Sequence, residues 1–225
     1  KKIFTPEQAE LFCAMRLTFE TAAQVAERTG RPLEGLEERL KAMGDAGQLF
    51  AIDLGGTWFF RMLPWVFGIY EFQLGRMDEE MAALHDAYGP VYNRQFCATT
   101  PQLMQVLPVE EEISIQQEAL PYQRVSALIE QNLSFVVNDC ICKKEKALLG
   151  HPCDRPVQVC LAMAPIPGAF EHSEGRKLTK DEAYALMKQT EELGLVHLTA
   201  NVQAGHIYIC NCCGCCCGVL DAINH

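Results

Sequence analysis

No run of ~18 apolar residues occurs in the 225-residue chain, so the sequence offers no membrane-spanning helix, and its first residues lack the apolar core of a secretory signal. Basic charge is scarce as well. Lys and Arg total 19 against 29 Asp and Glu, a net charge of -10, which disfavours generic affinity for nucleic acid or anionic lipid because both need a positive field. A glycine-rich nucleotide fingerprint and a Ser-His-Asp arrangement are also missing, so catalysis would have to reside at a bound centre. The expected location is cytoplasmic, without membrane insertion. Thiols stay reduced there.

Cysteine is what the chain has in excess. Cys210-Asn211-Cys212-Cys213-Gly214-Cys215-Cys216-Cys217 places six thiols in eight residues. Neighbouring side chains of an extended segment point to opposite sides, and a disulfide between sequence neighbours is strained, so metal is the better occupant. A second group, Cys140-Ile141-Cys142 with Cys153 and Cys160, has the spacing C-x-C-x10-C-x6-C; together the groups hold 10 of the 12 cysteines. Four thiolates suit either tetrahedral zinc or a cubane iron-sulfur cluster. Paired C-x2-4-C knuckles, usual for structural zinc, are absent from the upstream group, which favours iron-sulfur and leaves zinc as the alternative. His151 could compete as a ligand, although a solvent-facing loop histidine is the plainer reading. Lys143, Lys144, Lys146 and Arg155 would offset the charge of a thiolate-ligated centre, or form a solvated face. The crowding downstream means that one cluster cannot use every thiol. Of the remaining two, Cys13 falls in a helix and reads as a buried, inert thiol, while Cys97 stands alone.

Capping and periodicity organise the rest. Thr5-Pro6-Glu7-Gln8 opens a first helix with Leu11, Phe12 and Met15 on its apolar face, Thr21 to Gln24 opens a second that Gly30 closes, and Pro32 opens a third carrying Leu33, Leu36, Leu40 and Met43. Phe50 to Leu54 and Thr57 to Phe60 flank Gly55-Gly56, a hairpin signal. This is the order of a winged helix, expected over residues 1–63. Glu34, Glu37 and Glu38 on the third helix would repel phosphates, so a docking module is favoured over DNA binding. Residues 64–120 read as a helical connector, with Met77, Met81, Leu84 and Tyr88 at helical spacing until Gly89-Pro90 stops them, and little periodicity from Val91 to Leu120 around Glu110-Glu111-Glu112. Residues 121–225 read as the cysteine-rich domain. A strand at Leu133 to Val137 delivers Cys140 and Cys142, a helix capped by Thr179 runs to Gly194, and two antiparallel strands, Leu195 to Leu198 and His206 to Ile209, lead into Cys210. The fold class is α+β, an N-terminal winged-helix-like domain followed by a mixed α/β metal-binding domain.

The stretches Val136 to Cys142, Gly150 to Cys160 and Ile209 to Cys217 resemble the cysteine region of 4Fe-4S ferredoxin-type proteins of anaerobic bacteria, and Leu63 to Pro90 is similar to the region after their winged helix. The resemblance implies one or two 4Fe-4S clusters held by Cys140, Cys142, Cys153, Cys160, Cys210, Cys212, Cys213, Cys215, Cys216 and Cys217. It also implies electron transfer to or from a partner redox protein, as a component of an oxidoreductase system rather than a self-contained enzyme. Such proteins commonly continue into a dicluster ferredoxin domain whose C-x2-C-x2-C-x3-C-P runs are absent here, so the chain reads as a fragment. Self-association through the winged helix is a further expected partnership. The alternatives are a redox-sensing winged-helix regulator and a zinc-stabilised interaction module.

Overall fold

The computed structural model describes residues 2–97, 100–107, 125–171, 173–202 and 204–224. The chain divides into two compact units, Lys1–Met77 and Asp78–His225. Its architecture is mixed α/β, helical at the start and rich in β-sheet towards the C-terminus. Among the described residues no helix is long and apolar enough to cross a membrane.

The first unit contains α1 (Pro6–Cys13), α2 (Ala22–Thr29) and α3 (Leu36–Asp45), the strands β1 (Phe50–Leu54) and β2 (Thr57–Arg61), and a single turn α4 (Tyr70–Phe72). Thr5 and Thr21 both form reciprocal capping boxes, with Gln8 and Gln24, which is why α1 and α2 start where the sequence says. α3 starts later than Pro32 suggests. Gly35 occupies its N-cap in the left-handed region with no side-chain cap, so residues 32–35 form a turn rather than helix, and Leu33, expected on the apolar face, is exposed ahead of it. Leu54 pairs directly with Thr57, and Gly55 and Gly56 both take positive φ, as a two-residue hairpin turn that follows the strand twist requires.

Glu20 ties these parts together. Its backbone exchanges hydrogen bonds with Phe60 of β2, at 2.9 and 2.8 Å, while its buried carboxylate accepts from Arg28 of α2 at 2.7 and 2.6 Å. Arg28 also donates to the Ala14 carbonyl at the end of α1. Val25, Leu36, Leu40, Met43, Leu49 and Phe60 fill the core around this link. Cys13, expected to be buried, is exposed: it closes α1 on the side away from Leu11 and Met15.

The second unit opens with α5 (Glu79–Tyr92), which runs through Gly89-Pro90 instead of stopping there. Pro90 frees only the carbonyl of Asp86, on an exposed face, so the helix loses little by continuing. Leu84 and Tyr88 are exposed, and the buried side of α5 is carried by Met81, Ala82 and Tyr92. Next come β3 (Met104–Val106), α6 (Val125–Glu130), β4 (Ser134–Asp139), α7 (Ile141–Leu148), β5 (Gln158–Ala164), β6 (Arg176–Leu178), α8 (Lys180–Glu192), β7 (Val196–Ala200), β8 (Tyr208–Cys212) and α9 (Gly218–Asn224). The expected acidic run Glu110-Glu111-Glu112 and the expected boundary at Pro121 lie outside the described residues.

The strands form one antiparallel sheet in the order β3-β7-β8-β5-β4-β6. Phe135, Val137, Leu161, Met163 and Ile209 present one face of it to Leu128 and Ile129 of α6 and to Ala183, Leu186 and Met187 of α8. Gly175, just before β6, lies so close to β4 that a Cβ would sit 2.3 Å from Asn138 Oδ1 and 2.5 Å from Val136 Cγ2.

Leu40 is fully buried at the centre of the first unit. Its replacement by alanine is expected to cost about 2–5 kcal/mol through lost burial and the cavity left behind. Urea unfolding followed by tryptophan fluorescence reads this directly, since Trp58 and Trp65 both belong to that unit.

Candidate metal centre

Sheet order brings the two cysteine groups to one edge. β5 is antiparallel to both β4 and β8, so β4 and β8 run in the same direction and their C-terminal ends emerge beside the start of β5. The β4 ladder slips at Asn138/Asp139, a bulge that bends the chain as it leaves the sheet. Cys140 then donates its N–H to the Val157 carbonyl at 2.8 Å and serves as the N-cap of α7. Cys142 therefore sits in the first turn of a helix, not at a strand end. Cys160 lies within β5, and Cys210 and Cys212 lie within β8, which continues to Cys212 instead of ending at Ile209 as the sequence reading expected. Cys153 comes from the loop between α7 and β5, and Cys213, Cys215, Cys216 and Cys217 from the tight turn between β8 and α9.

Four of these thiols, Cys153, Cys213, Cys215 and Cys216, have their sulfurs within 4.8 Å of one another and form a cluster able to hold a metal ion. Cys153 Sγ is 3.6 Å from Cys213 Sγ and 3.5 Å from Cys215 Sγ, and Cys215 Sγ is 3.7 Å from Cys216 Sγ. A zinc–sulfur bond of ~2.3 Å places the sulfurs of a tetrahedral site ~3.8 Å apart, so this set matches one ion at the centre of four thiolates. Cys213 and Cys216 are buried against Val159 and Leu195, while Cys215 is exposed. His151, the competing ligand by sequence, is an exposed loop residue outside the four-sulfur group.

Burial dominates the thiol chemistry. It pushes Cys213 up to about 12, helped by the Cys215 and Cys153 thiols, and pushes Cys216 higher still. Burial also raises Cys153, but the Arg155 N–H at 3.4 Å and the neighbouring Cys215 and Cys213 thiols outweigh it and hold Cys153 below the ordinary thiol value. A metal entering this site must displace protons from Cys213 and Cys216, so its affinity climbs with pH. Arg155 is itself anchored, donating to the Leu193 carbonyl at 2.7 Å.

The other six cysteines form a further string of neighbours, in which Cys210 meets both Cys160 and Cys212. Cys140 and Cys142 interact directly, as do Cys212 and Cys217, and the two pairs are close enough to interact electrostatically. Cys160 and Cys210 touch across β5 and β8. Lys143 passes between the groups. It is 2% exposed, donates to the Pro156 carbonyl at 2.7 Å, and its charge acts on Cys140, Cys212 and Cys213.

Two positioning residues went unread in the sequence. Asn211 points to the α8 side of β8, away from Cys210 and Cys212, where its Nδ2 donates to the Val159 carbonyl at 2.7 Å. That bond fixes the amide orientation, so Oδ1 accepts from His197 Nδ1–H at 2.6 Å. The clamp locks β8 to β5 and β7 immediately before the turn that carries Cys213. A polar residue between two cysteines of an alternating strand is the signal that would have found it.

No protein-family model, no curated protein and no solved structure matches this chain.

Replacing Asn211 with leucine would leave the Val159 carbonyl and the His197 N–H buried without partners, at about 1–3 kcal/mol each. Denaturant unfolding should register the loss, and bound metal should leave at lower chelator concentration than from the unsubstituted protein. Burial also lowers His197, against the bond from Asn211, and lowers His206. The unfolded chain then binds more protons than the native one between the depressed native values and ~6.5, so stability falls as pH drops through that window. In metal-free protein the urea midpoint is expected to decline as pH falls below ~6.5.

Proposed function

We propose that the C-terminal unit is a metal-stabilised module, in which one zinc ion bound by Cys153, Cys213, Cys215 and Cys216 pins the turn after β8 to the loop before β5. The carrying observation is that three sulfur pairs lie 3.5–3.7 Å apart, close to the edge of one tetrahedron, and all four sulfurs lie within 4.8 Å of one another. In a cubane each thiolate binds a different iron at a separate corner, which needs the sulfurs further apart than these are. Four thiolates around one d¹⁰ ion leave no open position for substrate, so the centre would act structurally, organising a surface for a partner protein. Loading the same cage with iron would instead make a one-electron site, the form in which the electron-transfer reading survives here.

The N-terminal unit would supply a winged-helix docking module. Its three helices followed by a hairpin support that reading, and the exposed Glu34 and Glu38 beside α3 favour a protein or a second copy of this chain over DNA.

Protein purified without exposure to air is expected to contain zinc and no acid-labile sulfide. The double variant C153S/C216S should bind one ion fewer than the unsubstituted chain, and cobalt(II) loading should produce the intense charge-transfer absorption of sulfur-ligated cobalt, weakened or lost in this variant. Stoichiometric iron with acid-labile sulfide at these cysteines would replace the zinc reading with an iron-sulfur one.

A further inference from the structure

The outward face of the β1–β2 hairpin is apolar. Side chains alternate along each strand, so Ala51, Trp58 and Phe60 pack on the core of the first unit while the residues between them face away from it. Phe50, Ile52, Leu54 and Phe59 are among those outward residues, and Leu54 is 54% exposed. Phe50 pairs across the ladder with Arg61, the one charged side chain at the outward positions 50, 52, 54, 57, 59 and 61.

Two further rings extend this face, and both are held in place. Phe19 precedes Glu20, whose backbone bonds to Phe60 and whose carboxylate is buried, so Phe19 turns outward; its ring lies 5.8 Å from that of Phe50. Phe72 meets Phe50 edge-on at 6.4 Å. The neighbouring Gln73 is buried and donates to the Ala46 and Gly47 carbonyls at 3.1 Å, and a Cβ on Gly47 would lie 2.8 Å from Phe72 Cβ. Phe19 and Phe72 nevertheless stay 50% and 48% exposed. Rings fixed by hydrogen bonds yet left in water make up a contact surface, not a core.

Arg61 gives the surface its chemistry. Its guanidinium carbon lies 5.1 Å from the centre of the Phe19 ring and 5.3 Å from that of Phe50. Cation–π attraction fixes the group and leaves its N–H donors unspent. Among the described residues the buried Nε has no hydrogen-bond partner and no carboxylate pairs with Arg61. The carboxylates next in sequence to the rings are engaged, Glu20 with Arg28 at 2.6 Å and Glu71 with the Gly68 N–H at 2.8 Å. A planar fork with free donors, held between apolar rings, suits a carboxylate carried beside an apolar side chain.

We propose that this face docks a segment of a partner protein in which a glutamate or aspartate lies beside an apolar side chain. The carboxylate binds Arg61, and the apolar side chain covers Phe19, Phe50 and Phe72. The proposal deepens the docking reading of the N-terminal unit and rests on it. Charge selects a different protein over a second copy, because two such faces related by a two-fold axis would set Arg61 against its own copy with no carboxylate between them.

A fluorescein-labelled peptide of alternating glutamate and leucine, followed by anisotropy, is expected to bind the full chain, and its counterpart with glutamine in place of glutamate to bind about tenfold more weakly. Arg61→Met removes the donors and keeps an apolar side chain, so it should weaken the glutamate peptide by about tenfold and leave the glutamine peptide unchanged. No binding, equal affinity of the two peptides, or equal affinity of the two proteins for the glutamate peptide overturns the proposal. Should Arg61→Met not fold, amide shifts of the isotope-labelled unsubstituted chain decide. Shifts at Phe19, Phe50, Arg61 and Phe72 are expected, whereas shifts confined to α3 overturn this surface and keep the docking reading. A dimer of the unsubstituted chain in sedimentation equilibrium that Arg61→Met abolishes would overturn the proposal in favour of a second copy. The docking reading is tested apart: salt-dependent binding of a DNA duplex by the full chain overturns it whatever the peptides do.

Discussion

The antiparallel placement of β5 between β4 and β8 is the constraint on which the cysteine chemistry depends. Because β5 runs against both neighbours, β4 and β8 leave the sheet at the same edge, and β5 enters there. Thiols separated by some 60 residues of chain, such as Cys153 and Cys213, thereby come to 3.6 Å. Val137, Leu161 and Ile209 hold the three strands in register through the core shared with α6 and α8. Rigid elements carrying ligands at their ends are what a precise metal geometry requires.

Charge is the second determinant. Burial by itself raises thiol pKa and opposes the thiolate, as Cys213 and Cys216 illustrate. Backbone N–H groups aimed at Cys140, Cys153 and Cys217, together with the buried ammonium of Lys143, oppose that effect. Such groups favour the thiolate over the thiol. Their presence favours anionic sulfur at the cysteine edge, the form of thiol that a metal ion binds.

Distance then separates readings that composition leaves together. Zinc and iron-sulfur centres both accept four cysteines, so a count of thiols does not distinguish them. Sulfur–sulfur spacing bears on the choice, because a single ion draws its ligands to one tetrahedron while a cluster spreads them over several metal atoms, and it is the ground of the reading proposed above. Asn211 contributes to that spacing from the opposite face of β8, through the Val159 carbonyl and His197.

Much was legible in the residues alone. The capping boxes at Thr5, Thr21 and Thr179, the Gly55-Gly56 turn and the strands leading to Cys140 and Cys210 are local features, set by hydrogen bonds within a few residues. The concentration of thiols likewise announced metal binding without reference to any fold. The continuation of α5 past Pro90, the helical position of Cys142 and the exposure of Cys13 were not legible, because each depends on which face of an element the neighbouring elements cover. The same holds for the division of the cysteines. Which sulfurs meet is decided by strand order and by the direction in which each side chain leaves the backbone, and both arise only when distant segments pair.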